Sequence, residues 1–320
     1  MKDEKYSIGV DLGGTNVDFG IVSKAGKVSS LGKLTTKDYT DHKDLIKAIK
    51  ENIYPEILKA GLDKCAGIGI GAPNGNFYKG TIEYPPNLPW KGIIPFADDV
   101  KSIFGIPAFL TNDANAAAIG EMTFGITKNV KDFIMITLGT GVGSGIVIDG
   151  KLVLGSNGMA GELGHTTIIP NGRTHPSTGL KGSLESYCSA TGVVLTAKEM
   201  LKNYSDKTLL NDFNADDITS KIIYDCAIKG DKLAIEIFNY TGELLGRALA
   251  NFVMFSAPSV IVLFGGLIKA GDLIIKPVKE NMEKNLLKVF KNSCEIKTSS
   301  LPEDYAAILG AAALVPLNIN

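Results

Sequence analysis

Two stretches of this chain follow one plan. Ile8 to Val22 reads as a strand, a glycine turn at Gly13-Gly14-Thr15 and a returning strand. Phe133 to Gly150 repeats the plan around Gly139-Thr140-Gly141-Val142-Gly143. Asp11-Leu12-Gly13 lines up with Thr137-Leu138-Gly139, and Gly20-Ile21-Val22 with Gly145-Ile146-Val147, at offsets of 126 and 125 residues. The two turns therefore differ by one residue. An internal duplication of a β-hairpin unit accounts for this; chance likeness between glycine-rich hairpins is the plain alternative.

The stretches around the hairpins alternate between strand and helix. Asp44 to Ala60 has helical apolar spacing, with Pro55 expected to kink or break it. Cys65 to Ile70 is a short buried strand stopped by Gly71-Ala72-Pro73-Asn74-Gly75. Glu83 to Trp90 is too rich in proline for a helix or a central strand and should be an ordered loop. Pro107 to Leu110 is another strand, ending at Thr111-Asn112-Asp113, after which Ala114 to Glu121 has strong helix propensity. Beyond residue 185 the chain is mainly helical. Lys221 to Ile228 and Lys232 to Phe255 each carry an apolar face. Ser259 to Leu263 is a buried strand that meets Gly265-Gly266, and Ala306 to Leu314 is a closing helix of small residues. This is the pattern of an α/β protein.

Several of these junctions carry chemistry. In Asp11-Leu12-Gly13-Gly14-Thr15-Asn16 the glycines let backbone N–H groups approach an anion such as a phosphate, and Thr15 adds a hydroxyl. Asp11, at the strand end, suits Mg²⁺ held directly or through water. A plain β-turn is the bland alternative. Gly139 to Gly143 is the stronger cradle, because three alternating glycines weaken a strand pair for no structural gain. Thr137 and Thr140 are donors beside it. Asn112-Asp113 sits at a strand end and a helix start, where α/β proteins place ligand-binding groups. The helix dipole should keep Asp113 ionised, as a proton acceptor requires, and a weak base; a simple helix N-cap is the competing use of this pair. Glu162 and His165 are three apart. On a helical turn they share a face and could bind adjacent hydroxyls of a sugar. Glu185 is a third candidate, whose alternative is an exposed helix residue. The other two histidines, His42 and His175, read as solvated and as surface.

Other signatures fail. Gly145 to Leu152 nearly spells a P-loop, but Leu152 stands where Ser or Thr should meet Mg²⁺, and Asp149-Gly150 reads as a hairpin turn. The dinucleotide run G-x-G-x-x-G is absent. The 320 residues are 45% hydrophobic and 21% charged, enough for two folded domains with their own cores. A net charge of −1 without clustered Lys or Arg leaves no footprint for nucleic acid. No apolar run has the length of a membrane span or a signal peptide. Four scattered cysteines without a C-x-x-C fit a cytoplasmic protein.

Taken in order, these pieces resemble the ROK family of sugar kinases and related repressors. The matching residues are Asp11 to Asn16, Asn112 to Ala118, Leu138 to Gly145, Gly161-Glu162-Leu163-Gly164-His165, Leu184-Glu185, Ser256 to Gly266 and Gly310 to Ala313, spread over nearly the whole chain. The resemblance implies an actin-like, ribonuclease H-like ATPase fold of two α/β lobes with ATP and sugar in the cleft between them. Residues 1–115 would form the smaller lobe, completed by a C-terminal helix at 304–320, and 116–303 the larger. It implies Asp113 as catalytic base, with Asn112, Glu162, His165 and Glu185 on the sugar hydroxyls, joined by Asn87, Asn74 and Gly75. The turns at Gly13, Gly14, Thr15 and at Gly139, Thr140, Gly141 would hold the ATP phosphates, and Gly265 and Gly266 would let the adenosine approach. A homodimer is the family expectation. Many members carry a C-x-C-G-x-x-G-C-x-E zinc motif, but here Pro176, Thr178 and Ser183 stand at its cysteine positions. These are poor ligands. No structural zinc is expected, and hydrogen bonding must hold that loop. Two rivals are a sugar-sensing repressor, which would need a DNA-binding module ahead of the first strand, and an actin-like ATPase, which would not need Glu162, His165 and Glu185.

Overall fold

The computed structural model describes residues 4–317, so residues 318–320 of the expected C-terminal helix lie outside it. The chain forms two compact units. One comprises the residues up to Lys131, Gly145–Gly161 and those from Ser299 on; the other comprises Asp132–Ser144 and Glu162–Thr298. The expected boundary at residue 115 thus falls later, and the reason lies in the packing of two helices described below.

In the first unit, β1 (Tyr6–Leu12), β2 (Asn16–Ser23) and β3 (Val28–Thr35) form an antiparallel run. β4 (Cys65–Ala72) adds parallel to β1. Three short strands, β5 (Gly75–Asn76), β6 (Thr81–Glu83) and β7 (Ile93–Ile94), form a small sheet of their own with β6 in the middle. β8 (Ala108–Asn112) completes the main sheet, whose order is β3-β2-β1-β4-β8. The helices are α1 (His42–Ala60), α2 (Phe96–Phe104) and α3 (Asp113–Phe124). Pro55 does not break α1, which runs on to Ala60. Leu45, Ile46, Ile49, Ile53 and Ile57 of α1 are buried with Ile8, Val10, Phe19 and Ile68 of the sheet in one apolar core.

The second unit holds α4 (Glu185–Cys188), α5 (Ala190–Leu201), α6 (Ser220–Ala227), α7 (Lys232–Ser256) and α8 (Asp272–Asn285). A second sheet is built on β9 (Phe133–Leu138) of this unit, from which the chain turns into β10 (Val142–Ile148) and β11 (Lys151–Leu152), whose residues from Gly145 on belong to the first unit. β12 (Val260–Phe264) lies parallel to β9, and β13 (Glu295–Thr298) parallel to β12. The order β11-β10-β9-β12-β13 copies that of the first sheet, with three antiparallel strands followed by two parallel ones. The duplicated hairpin therefore belongs to a duplicated sheet. Asp149 and Gly150 both have positive φ between the paired Ile148 and Lys151, the geometry of a tight hairpin turn rather than a phosphate loop.

The chain ends in α9 (Ala306–Ala312) and α10 (Leu314–Leu317). Small residues let α9 lie directly on the first sheet. A Cβ at Gly9 would overlap the Ile308 carbonyl, and one at Gly69 the Ala311 carbonyl. On its other side α9 meets α3, where a Cβ on Gly310 would come 2.5 Å from the Ala116 oxygen and one on Gly120 2.9 Å from Gly310 Cα. This close seam ties α3 to the first unit and moves the boundary past residue 115. Gly69→Ala must push α9 off the sheet, so we expect it to cost about 1–3 kcal/mol or more of unfolding free energy in urea titrations. An unchanged midpoint would contradict the packing.

Candidate functional site

In the first unit the site grows out of strand register. Asp11 of β1 pairs across to Gly71 of β4, and Ala72 of β4 to Asn112 of β8. Three parallel strands thus end side by side, placing Asp11 and Asn112 two strand spacings, roughly 10 Å, apart. Gly71 between them has no side chain; a Cβ there would lie 3.9 Å from Asp11 Oδ1 and 3.7 Å from Asp113 Cα. The row is at the carboxyl edge of the sheet, where α/β proteins bind ligands.

Asn112 does cap α3. Its Oδ1 accepts from the N–H groups of Ala114 (2.8 Å) and Asn115 (3.2 Å). That leaves the amide nitrogen as a donor, so capping and ligand binding can coexist. Asp113 is the first residue of the helix, and its Oδ1 takes the Ala114 N–H at 2.8 Å. Solvent reaches its side chain, yet protein surrounds the carboxyl closely. That enclosure raises its pKa against the lowering pull of the backbone N–H groups of Ala114 and Asp113 itself. The direction of the shift is thus opposite to the lowering expected from the helix N-terminus alone. Asp11 is pushed up to about 7 by burial first, then by the negative charges of Asp113 and Asp18, with Lys33 opposing.

The first glycine turn is closed by Gly13 N–H on the Asn16 oxygen (2.9 Å) and by the Thr36 hydroxyl on the Gly13 oxygen (2.8 Å). Among the described residues no protein acceptor takes the N–H groups of Gly14 and Thr15. Asn87 packs on this turn, for a Cβ on Gly14 would sit 2.6 Å from its carbonyl oxygen. The loop carrying Asn87 is pinned by Trp90, whose indole N–H donates to the Tyr39 oxygen at 3.1 Å. His42 stands edge-on to Trp90 and bonds Asp99 at 2.8 Å, so it is a clamp between α1 and α2 and not the solvated residue expected. Gly75 backs onto β8, at the Thr111 carbonyl. Asn74 spends its amide N–H groups on the Glu83 and Tyr84 oxygens, which shapes the loop.

The second unit has its own cluster. Gly139 N–H closes the turn on the Gly141 oxygen (3.0 Å), and Ala190 at the start of α5 donates to the Gly139 oxygen (2.9 Å). The Thr137 hydroxyl accepts from Gly143 N–H at 3.2 Å and keeps its own proton to donate. Glu185 is only 14% exposed, in contrast to a surface helix residue. Its Oε2 accepts from Val142 N–H at 2.7 Å, and its Oε1 lies 2.7 Å from His175 Nε2. Leu163–His165 is a 3₁₀ turn, which sets Glu162 Oε2 3.7 Å from His165 Nε2. His165 and His175 meet edge to face with centroids 6.3 Å apart. His175 was expected at the surface; the structure puts it at the centre of this cluster. No pattern in the sequence announces it, because its partner is ten residues away across a hairpin. Among the described residues no group of three or more His, Cys, Asp or Glu could hold a metal ion. Ser183, at one of the missing cysteine positions, instead shares a 2.7 Å hydrogen bond with Ser186.

The glycines separate into two kinds. Gly265 has φ +109 and a Cβ there would meet the Leu138 backbone; Gly141 leaves room for Glu185. The fold itself demands both. A Cβ on Gly139 or Gly266 would meet nothing within 4 Å, and neither has positive φ. Their lack of a side chain answers no need inside the unit.

The ROK family model matches residues 7–317, and the chain belongs to that family. The chain is 34% identical to a glucokinase of Halalkalibacterium halodurans, over 100% of its own length and 97% of that protein. It is 31% identical to a xylose repressor of Caldicellulosiruptor bescii, over 98% of this chain and 79% of the repressor. Among solved structures, the ROK glucokinase of Streptomyces griseus in complex with glucose and AMPPNP matches with a TM-score of 0.80 and 31% identity, covering 98% of this chain and 100% of that one. The fold is accordingly the α/β, actin-like one that the sequence resemblance implied. No helix among the described residues is long and apolar enough to cross a membrane.

The free space at Gly139 yields a test. Gly139→Ala should leave the unfolding midpoint within about 0.5 kcal/mol of the parent, as an unobstructed surface change does. It should weaken binding of a nucleotide triphosphate severalfold in calorimetric titration. Unaltered nucleotide binding would remove this turn from the phosphate site.

Proposed function

We propose that this chain is an ATP-dependent sugar kinase that phosphorylates a hexose, with glucose to the 6-phosphate as the first choice, and that Asp113 is the base. The observation that carries this is Asp113 itself: a solvent-reached carboxylate at the end of β8, with its pKa lifted, beside a second carboxylate at the end of β1. The kinship with glucokinases supports the choice of reaction and sugar.

In this reading the sugar hydroxyl oxygen attacks the γ-phosphorus, the bond to the bridging oxygen of ADP breaks, and the hydroxyl proton passes to Asp113. A loose transition state asks mainly for positioning and charge stabilisation. Asn112, through its free amide, and Asn87 orient the sugar, with Asn74 and Gly75 shaping the loop beside them. Glu162, His165 and Glu185 accept and donate to sugar hydroxyls. The spare N–H groups of Gly14 and Thr15, the Thr137 and Thr140 hydroxyls and the open turn at Gly139 hold phosphate oxygens. Asn16 closes the first turn, and Gly265 and Gly266 give the adenosine room. Asp11 fits Mg²⁺, directly or through water, because a carboxylate among acidic neighbours with only Lys33 in opposition lacks a compensating cation. The bound cation supplies charge neutralisation on the phosphates.

A sugar-sensing regulator is the second reading, favoured by the kinship with the xylose repressor. Such a protein has no use for a poised base at Asp113. Assays coupled to ADP formation on a panel of hexoses, with ATP and Mg²⁺, separate the two. Asp113→Asn should lower kcat by about 10²–10⁴ while the sugar KM changes little. Full turnover by this variant would exclude Asp113 as the base.

Asp11 gives a prediction of opposite sign in stability. Its folded pKa, about 7, lies above the ordinary carboxylate value of 3.8. The folded state therefore binds the extra proton, and stability falls as pH rises from about 4 to about 7. Asp11→Asn should stabilise the metal-free protein at pH 8 by on the order of 1–3 kcal/mol, solvent screening included, and bring almost no gain at pH 4. The same substitution should nearly abolish turnover. Thermal melts at the two pH values check it; a destabilised variant at pH 8 contradicts it.

A further inference from the structure

We infer that His175 is a positioning residue for the sugar site: its imidazole aims the Glu185 carboxylate. The inference rests on the sugar-kinase reading and extends it to a residue outside the groups that touch substrate there.

The tautomer follows from the partners. Thr178 N–H can only donate, and its nitrogen lies 3.3 Å from His175 Nδ1; the Ser177 hydroxyl lies 3.2 Å from the same atom. Nδ1 therefore carries the lone pair, and the ring proton sits on Nε2. Nε2 lies 2.7 Å from Glu185 Oε1, a close ion-pair contact. The other carboxylate oxygen is taken by Val142 N–H at 2.7 Å. A backbone donor and an imidazole from separate segments thus hold the carboxylate against the second glycine turn.

The imidazole is itself held by a small hairpin. Thr174 bridges to Lys181, His175 N–H donates to the Leu180 oxygen (2.7 Å), and Gly179 N–H to the His175 oxygen (3.0 Å). The hairpin is anchored by Arg173. This guanidinium lies over the Tyr187 ring at 4.4 Å and bonds Glu199 (2.6 Å), Thr196 (3.1 Å) and the carbonyls of Gly192 (3.1 Å) and Ser186. The backbone N–H of Arg173 donates to the Tyr187 hydroxyl at 2.7 Å. A loop without metal-ligating cysteines is in this way made rigid by an arginine at its base and a histidine at its tip.

The test compares wild type, His175→Ala and His175→Gln with the sugar that wild type phosphorylates best. A close charged contact of this kind, once lost, should raise the sugar KM of His175→Ala about tenfold or more. The ATP KM should stay within about twofold and kcat should change less than the sugar KM, because the interaction serves ground and transition states alike. His175→Gln keeps an N–H donor and should recover most of the loss. Thermal melts of both variants establish that they are folded. A sugar KM unchanged in His175→Ala overturns the inference alone; a wild type inactive on every hexose overturns the kinase reading and this inference with it. Equal rises in both KM values, without recovery in His175→Gln, would reduce His175 to a structural residue. Wild type dialysed against a zinc chelator before Mg²⁺ is added should keep its sugar KM. A rise reversed by zinc would show that a metal, and not the imidazole, aims Glu185.

Discussion

The register of three parallel strands is the constraint on which the first unit's chemistry depends. β1, β4 and β8 end level with one another, so Asp11, Gly71 and Thr111 form a row, with Asn112 one residue beyond it. The register is itself enforced from behind. Gly9 of β1 and Gly69 of β4 let α9 sit against the sheet at backbone distance, and Gly310 lets α3 close on α9. A larger residue at any of these glycines displaces α3, and with it Asp113 at its N-terminus. The catalytic carboxylate of the proposed reaction is in this sense positioned by glycines on the far side of its own helix.

The same row is costly to keep. Two carboxylates are drawn into a crowded edge where burial and mutual repulsion lift the pKa of Asp11 to about 7. A chain under no demand but folding would place an amide or an apolar group there. An unfavourable arrangement held in place by a rigid scaffold is the mark of a site prepared for a partner, and the proposed cation would answer that need.

Much of this was legible in the sequence. The hairpin repeat foretold the shared sheet order, the polar strand ends marked Asp11 and Asn112-Asp113, and Asp149-Gly150 was a hairpin turn as its residue types required. The losses have physical causes. β3, β5 to β7 and β13 carry few apolar residues in alternation, so their pairing comes from neighbours and not from their own pattern. Pro55 sits inside α1 because buried isoleucines on both sides of it hold the helix together. The boundary at residue 115 was misplaced because helix seams made by small residues leave no hydrophobic signal. His42 and His175 both read as surface groups in the sequence, since a histidine's partner is set by tertiary placement and neither Asp99 nor Glu185 adjoins it in the chain.

The glycines show how far such legibility reaches. Gly14, Gly141 and Gly265 each make room for something the fold contains: Asn87, Glu185 and the Leu138 backbone. They would be needed whether or not the protein bound anything. Gly139 and Gly266 make room for nothing in their own unit, and neither has positive φ. An alanine at either place would lower the chain entropy of the unfolded state and so stabilise the fold slightly. Glycine there forgoes that gain, and the compensation has to come from outside the polypeptide. A phosphate chain and a nucleoside pressed against bare backbone are ligands that reward it. The sequence shows all five as glycine alike; only the coordinates divide those the fold requires from those left open for the proposed ligands.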